Sequence, residues 1–372
     1  MKKVLFVATV VQKHINVFHL PFLKMFQEAG WETSVCARND FENKEDCIIP
    51  NCDKYYDMPF ERNPFKANNL KVFQKLKALI KQEKYDIIHC HTPTGGVLAR
   101  FAAFASGNKS TRVIYTAHGF HFFKGAPLLN WLLYFPVEWF CSFFTDTLIT
   151  INQEDYAFAQ KHMHAKEIRY VPGVGLDTEK FVPSEEQKRQ KRIELQLPED
   201  AYLIMSVGEL TQRKNHETVI KVMEKIKIPN CYYLIVGGGE KEEYLKKIAV
   251  DTDVKENIIF LGRREDVDTL CCAADVFCFL SFQEGLPVAL MEAMAAGLPC
   301  VASSIRGNVD LIQDGRNGIL VSPTDVNDAK CAIETLLEDE SLRLAMRENN
   351  MEDIKAFDFE NVGKIMMEIY GI

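Results

Sequence analysis

The sequence predicts an α/β fold of two doubly wound domains facing a central cleft. Three observations carry that expectation. Short β-rich runs alternate with helical stretches, the series restarts near the middle of the chain, and 372 residues suit two domains of about 100 to 200 residues each. Alternation of this kind implies parallel sheets, because parallel neighbours need crossover connections and these are commonly helices.

In the first series the expected strands are 3–9, 32–37, 86–89, 112–116 and 147–151, each leading into a candidate helix. The second series has strands at 202–207, 232–236, 258–261, 276–280 and 300–303. Between them Val171-Pro172-Gly173-Val174-Gly175 has the composition of a joint. Domains are therefore expected at 1–172 and 173–358, with a helix in 359–372 crossing back onto the first. Doubly wound sheets bind ligands outside the carboxyl ends of their strands, so two of them facing each other leave room for two substrates.

The opening run from Lys3 to Val7 is apolar, but Gln12, Lys13, His14 and Asn16 follow too soon for a signal peptide. It reads as a first strand, and a cytoplasmic location is expected. Apolar residues make up 47% and charged residues 26% of the chain, the balance of a globular protein rather than a disordered or spanning one. A formal net charge of −8 argues against wholesale nucleic-acid binding. The 11 cysteines are scattered and lack paired CxxC spacing, so they read as reduced, mostly buried thiols.

The most informative stretch runs from Ser281 to Pro299, from a strand's carboxyl end into a helix. Gly285 permits close approach of a ligand to the backbone, and Pro287 suits the first helical turn, where its missing N–H costs nothing. The N–H groups from Leu286 to Ala289, proline's excepted, then form an anion site with the positive end of the helix dipole, suited to a diphosphate. Glu284 and Glu292 lie eight residues apart, so both can face the same ligand at different depths. On spacing alone, a cap and a solvated glutamate explain them equally well.

Two further patterns carry less. His89-Cys90-His91 places two imidazoles on one strand face, but no third ligand stands at a suitable spacing, and no metal site is expected. Asp251-Thr252-Asp253 spells a D-x-D, yet it trails a helix and reads as a surface turn, while the glycine run at Gly237 lacks the second spacing of a dinucleotide fingerprint.

The E-x7-E pair within EGLPVALMEAMAAGLP resembles the signature of the family 4 retaining glycosyltransferases of the GT-B fold, built from two Rossmann-like domains. Other segments agree in order and spacing: Tyr115-Thr116-Ala117-His118-Gly119, Tyr170 to Asp177, Val207-Gly208-Glu209-Leu210, Val236 to Gly239, Phe260-Leu261-Gly262 and Ala274-Asp275-Val276. The resemblance implies a transferase that moves a sugar from a nucleoside-diphosphate donor, with UDP favoured, to a saccharide or polyprenyl-diphosphate-linked acceptor, as in capsule, exopolysaccharide or O-antigen assembly. It implies Glu284 and His118 at the reacting sugar and Glu292 at the ribose. Arg213 and Lys214 fall at the diphosphate, Arg263 by the base, and Gly285, Leu286, Pro287 and Val288 in the donor turn. His14, His91 and His121 fall to the acceptor side, and neither metal nor cofactor is implied. Where many relatives place arginine after the strand's glycine this chain has Glu209, and Arg213 is the candidate replacement. The loop 10–17 lacks the relatives' double glycine.

Aromatic residues crowd the segment from Phe120 to Phe144, and Lys71, Lys75, Lys77, Lys81 and Lys84 decorate a helix whose Phe73, Leu76 and Ile80 suit a core. Pro136, Glu138 and Asn130 interrupt the aromatic run, so it does not span a bilayer. It fits peripheral contact with an anionic membrane and equally a buried crossover helix. Two other functions stay open: a nucleotide-sugar epimerase of the same architecture, and a non-catalytic nucleotide-sugar-binding protein.

Overall fold

The computed structural model describes every residue except Pro64 and Phe65. Contacts divide the chain into two units, Met1–Gly175 with Val362–Ile372, and Leu176–Asn361. The first boundary therefore falls at Gly175 rather than at 172, and the return to the first unit begins at Val362 rather than 359.

The first unit is a seven-stranded parallel sheet: β1 (Lys3–Val10), β2 (Glu32–Arg38), β3 (Lys54–Asp57), β4 (Ile87–His91), β5 (Arg112–Ala117), β6 (Thr147–Thr150) and β7 (Glu167–Tyr170). Their spatial order is β3-β2-β1-β4-β5-β6-β7, so the order reverses between β1 and β4. β1 is buried from Val4 to Val10, and β4 throughout, as expected for central strands covered on both faces. β3 and β7 fall outside the predicted series. Each has four residues that are half-buried or exposed, so neither carries the apolar run that marks an inner strand.

The helix Asn68–Glu83 buries Val72, Leu76 and Ile80 at helical spacing, while Phe73 is only half-buried against that core. Lys71, Lys75, Lys81 and Lys84 are exposed and Lys77 half-exposed. The helix Leu128–Ser142 packs Trp131, Tyr134 and Phe135 on the core and presents a second apolar face outward. Leu128 is 74% exposed and Leu132 66%, with Leu129 and Phe140 also exposed, while the buried residues are Glu138, Cys141 and Ser142. A buried crossover helix is therefore not what this segment forms. Among the described residues, no helix is long and apolar enough to cross a membrane.

Glu138 is buried because it answers Arg100. The Arg100 side chain, 1% exposed, donates to Glu138 Oε2 at 2.7 Å, and Tyr115 Oη donates to Glu138 Oε1 at 3.1 Å. Arg100 also lies over the Tyr115 ring, 3.9 Å from its centroid, and donates through Nε to the Gly96 carbonyl. This network ties the helices Pro93–Ser106 and Leu128–Ser142 to β5.

The helix Phe359–Tyr370 buries Val362, Met366, Ile369 and Tyr370, an i, i+4, i+7, i+8 stripe. Tyr370 packs on Phe26 with ring centroids 4.6 Å apart, its hydroxyl stands 2.7 Å from His89 Nδ1, and Arg169 pairs with Glu368.

The second unit is a six-stranded parallel sheet of β8 (Tyr202–Val207), β9 (Cys231–Val236), β10 (Ile258–Gly262), β11 (Val276–Phe279), β12 (Cys300–Ser303) and β13 (Gly318–Val321), in the order β10-β9-β8-β11-β12-β13. Here the order reverses between β8 and β11. β13, a four-residue edge strand, is the one absent from the predicted series. The helices His216–Met223 and Val326–Glu338 cover one face through Val219, Ile220, Ile333 and Leu336. All 11 cysteines are free thiols and seven are buried: Cys36, Cys90, Cys141, Cys231, Cys271, Cys278 and Cys300.

Candidate functional site

In the second unit Arg213, Lys214 and Glu284 meet at the reversal point. β8 runs out into Gly208, and Gln212–Lys214 form a short 3-10 turn before the helix His216–Met223. This turn is fastened to the segment after β11: Phe282 N donates to the Arg213 carbonyl, and Asn215 Nδ2 donates to the Leu280 carbonyl. Asn215 takes a left-handed conformation there, which asparagine tolerates better than most side chains.

Both cations reach one carboxylate oxygen. Arg213 Nη1 stands 2.7 Å and Lys214 Nζ 2.9 Å from Glu284 Oε1, and Arg213 also donates to the Gln283 carbonyl. The Lys214 ammonium lies 4.5 Å from the Phe279 ring centroid. Burial lowers the Lys214 pKa, and the charge of Glu284 works against that shift. Two cations on one carboxylate leave the cluster with an excess positive charge beside the turn that opens the next helix.

That turn is braced from β12. Arg306 Nε donates to the Glu284 carbonyl at 3.2 Å, and Ser303 Oγ to the Ser281 carbonyl at 2.6 Å. Gly307 adopts φ +83°, and a Cβ there would collide with the Gly285 carbonyl oxygen. The helix itself is Val288–Ala295, with Pro287 as its extended cap residue. Its open amides are consequently those of Val288, Ala289 and Leu290, not a set starting at Leu286. Leu286 and Pro287 are buried, and Gly285 and Val288 half-buried.

Glu292 lies farther along this helix, half-buried. Its carboxylate has no hydrogen-bond partner among the described residues, and burial, aided by Asp268, raises its pKa from 4.5 to about 7. A carboxyl raised in the folded state stabilises the fold fully below its unfolded pKa, and this contribution is lost as pH rises through the folded value. Wild-type stability should therefore fall by about 2 kcal/mol between pH ~5 and ~8 through this group alone. Thermal melts of Glu292→Gln across that range should lack this component; an equal pH slope in the variant would refute it. Arg263 is exposed beyond β10, two strands from the reversal point, with its side chain against Gly238. Asp251 and Asp253 are exposed beyond the helix Glu242–Val250, the surface turn expected.

In the first unit the reversal point is lined with histidines. β1 ends in a π-helical turn, Val11–Ile15, that buries His14; the chain then passes through Asn16–Phe18 to His19 and the helix Leu20–Glu28. π-turns are rare and frequent at functional sites. His91 ends β4, and His118 follows β5. Thr92, a β-branched residue at φ +62°, makes the sharp exit from β4 into the helix Pro93–Ser106, a costly conformation of the kind that clusters at binding sites.

His118 Nε2 and His91 Nδ1 stand 3.3 Å apart, and His19 stacks on His91 at 3.7 Å between centroids. Sequence spacing alone offers no third ligand beside His89 and His91. The structure supplies His14, His19 and His118 instead, and removes His89, whose nitrogens engage Tyr370 and Thr116. His19 was missed because it lies in no motif; only its five-residue spacing from His14 hinted at a shared location. Burial, with repulsion between neighbouring imidazoles, holds His14, His19 and His91 well below the ordinary histidine value, and burial alone brings His118 to about 4. All four are neutral near pH 7.

Beside them a cavity of about 370 Å³ is lined by Lys13, His14, Arg62, His121, Leu133 and Tyr134, among others. His121 stacks on Tyr134 at 4.6 Å, which places it on the same wall as the outward-facing apolar helix.

Comparison with known proteins adds two family matches: "Glycosyl transferases group 1" over residues 187–353, and "Glycosyl transferase 4-like" over residues 3–152. The chain is 37% identical over 374 residues to the putative glycosyltransferase EpsD of Bacillus subtilis, covering 100% of this chain and 96% of that protein. It is 31% identical over 312 residues to the UDP-Gal:alpha-D-GlcNAc-diphosphoundecaprenol alpha-1,3-galactosyltransferase of Escherichia coli, covering 82% and 80%. Among solved structures, HepE of Anabaena in complex with UDP and glucose shares the fold, with a TM-score of 0.82 at 19% identity over 100% of both chains. So does WaaG, a glycosyltransferase involved in lipopolysaccharide biosynthesis, at 0.77 and 18% identity over 98% and 99%.

Proposed function

The chain belongs to the group 1 and 4-like glycosyltransferases of the GT-B fold, and from that membership we propose a specific reaction. It moves a sugar from a UDP-sugar to a saccharide linked to a polyprenyl diphosphate, with retention of anomeric configuration, during surface polysaccharide assembly. The observation that carries this reading is the cluster of Arg213 and Lys214 on Glu284, at the turn before the helix Val288–Ala295.

Charge accumulates on the departing diphosphate during transfer. Lys214, Arg213 and the open amides of Val288 to Leu290 offset it, a fixed electrostatic arrangement that needs no metal ion. Glu284, turned toward the sugar by its remaining oxygen, accepts hydrogen bonds from hydroxyls, and Glu292 accepts from the ribose. Arg263 flanks the base. Contact with the reacting sugar is assigned to His118. As the anomeric carbon–oxygen bond to the diphosphate breaks, the acceptor hydroxyl bonds to that carbon on the same face. Its proton passes to the departing phosphate oxygen, so no separate base is required.

The cavity in the first unit suits the acceptor. Lys13 and Arg62 match a diphosphate, His14 and His121 a saccharide, and Leu133, Tyr134 and Val137 a lipid chain. The neighbouring outward apolar face of Leu128, Leu129 and Leu132 supports contact with the cytoplasmic side of an anionic membrane, where such an acceptor resides. The Escherichia coli relative, whose name gives a diphosphoundecaprenol-linked substrate, supports the same class.

One experiment tests these parts together. The chain is incubated with single nucleotide sugars and EDTA, with or without anionic vesicles containing a polyprenyl-diphosphate saccharide. Expected are UDP release that depends on the acceptor, co-flotation with the vesicles, and a retained configuration in the first-formed product by NMR. Isomerised donor without acceptor would indicate an epimerase instead, and abolition by EDTA would exclude the metal-free transfer.

A further inference from the structure

We infer that the carboxyl end of the first sheet binds one first-row divalent transition ion of the zinc class, through His14 and His118 together with the stacked pair His19 and His91. The four rings come from three separate pieces of chain: the segment after β1, the end of β4 and the residue after β5. One nitrogen from each lies within 4.8 Å of the others.

The spacing suits a tetrahedral ion. Nitrogens bound at the usual zinc distance stand about 3.4 Å apart on a tetrahedron, and the ring centroids a little over 5 Å. His118 Nε2 and His91 Nδ1 are already 3.3 Å apart. Ring centroids are 5.0 Å apart for His14 and His118, 5.0 Å for His14 and His19, and 5.5 Å for His91 and His118. The stacked pair at 3.7 Å is too close for both rings to point at one ion. Three ligands therefore bind with little movement, and the fourth joins when this stack opens.

A second observation points to a ligand. His14 Nε2, both nitrogens of His19 and His91 Nε2 are buried with no hydrogen-bond partner among the described residues, and His19 and His91 are each 1% exposed. Four neutral imidazoles, three of them with an unpartnered nitrogen, suit zinc, nickel or copper. With no carboxylate in the group they do not suit magnesium or calcium. His89 lies behind His91, at 4.0 Å between centroids, and is fixed by Tyr370 and Thr116, so it serves as a support and not a ligand.

Bound metal would take His118 away from the sugar, so zinc should inhibit transfer; that consequence alone rests on the role proposed for His118. Metal binding is tested independently of catalysis. Untagged, chelator-stripped wild-type protein is titrated with zinc against a chromophoric chelator, and separately loaded with cobalt(II). Expected are one ion per chain and the visible spectrum of a tetrahedral imidazole site without thiolate charge-transfer bands. Affinity should fall about tenfold or more in His19→Ala and in His14→Ala, and stay unchanged in His164→Ala, an exposed histidine outside the cluster. Circular dichroism confirms that the variants fold. Failure of the wild type to retain an ion at about 10 μM free zinc would overturn the inference, since three or four imidazole ligands, three of them buried, should bind more tightly than that. So would cobalt spectra dominated by thiolate, or undiminished affinity in folded His19→Ala and His14→Ala.

Discussion

Replacing Lys214 by alanine is expected to lower turnover by about two to three orders of magnitude while changing KM far less. The reasoning is geometric. Lys214 is held between Glu284 and the Phe279 ring, its side chain only 11% exposed, whereas Arg213 is 42% exposed and more strongly screened by solvent. A cation fixed before the reaction begins needs no reorganisation as negative charge builds on the diphosphate, and a partly buried one is weakly screened. Arg213→Ala should accordingly cost less than Lys214→Ala. Saturating-donor kinetics of both variants check this, and a Lys214→Ala enzyme with near wild-type kcat would remove the ammonium from the mechanism.

Glu138→Ala should destabilise the first unit by about 3 to 5 kcal/mol, because it strands the Arg100 guanidinium in an apolar interior. Arg100 would keep its bond to the Gly96 carbonyl and its stacking on Tyr115, neither of which neutralises it. At the entropy of unfolding typical for units of this size, the loss corresponds to a fall of roughly 10 °C in Tm. Replacing both partners, Arg100→Met with Glu138→Leu, should recover much of it, since a buried pair is often no better than apolar side chains of similar volume. Calorimetry of the single and double variants decides; a double variant no more stable than Glu138→Ala would contradict the charge-burial account.

Central strands were legible because burial on both faces writes an unbroken apolar run, as in Val4 to Ala8 or Val276 to Phe279. The edges were not. Lys54–Asp57 and Glu167–Tyr170 are short and largely polar, so local pattern gives them nothing to distinguish them from loops. On the donor side, the residues that meet in space were readable because Arg213, Lys214 and Glu284 follow strands β8 and β11, adjacent at the reversal of order. Three of the four cluster histidines were visible, because His14, His91 and His118 follow strand ends, but His19 depends on a π-turn that sequence periodicity does not announce. The helix Leu128–Ser142 was ambiguous for a related reason. Its composition is apolar on both sides, and the tertiary pairing of Glu138 with Arg100, together with the packing of Trp131 and Phe135 on Phe122, decides which side faces in.

The return of Val362–Ile372 to the first unit sets an order on biosynthesis. A ribosome must finish all of Leu176–Asn361 before the segment carrying Tyr370 emerges. Until then His89 and Phe26 await their partner, and the nascent amino-terminal lobe lacks its closing helix. A polypeptide stalled within the second lobe therefore cannot present a finished first one.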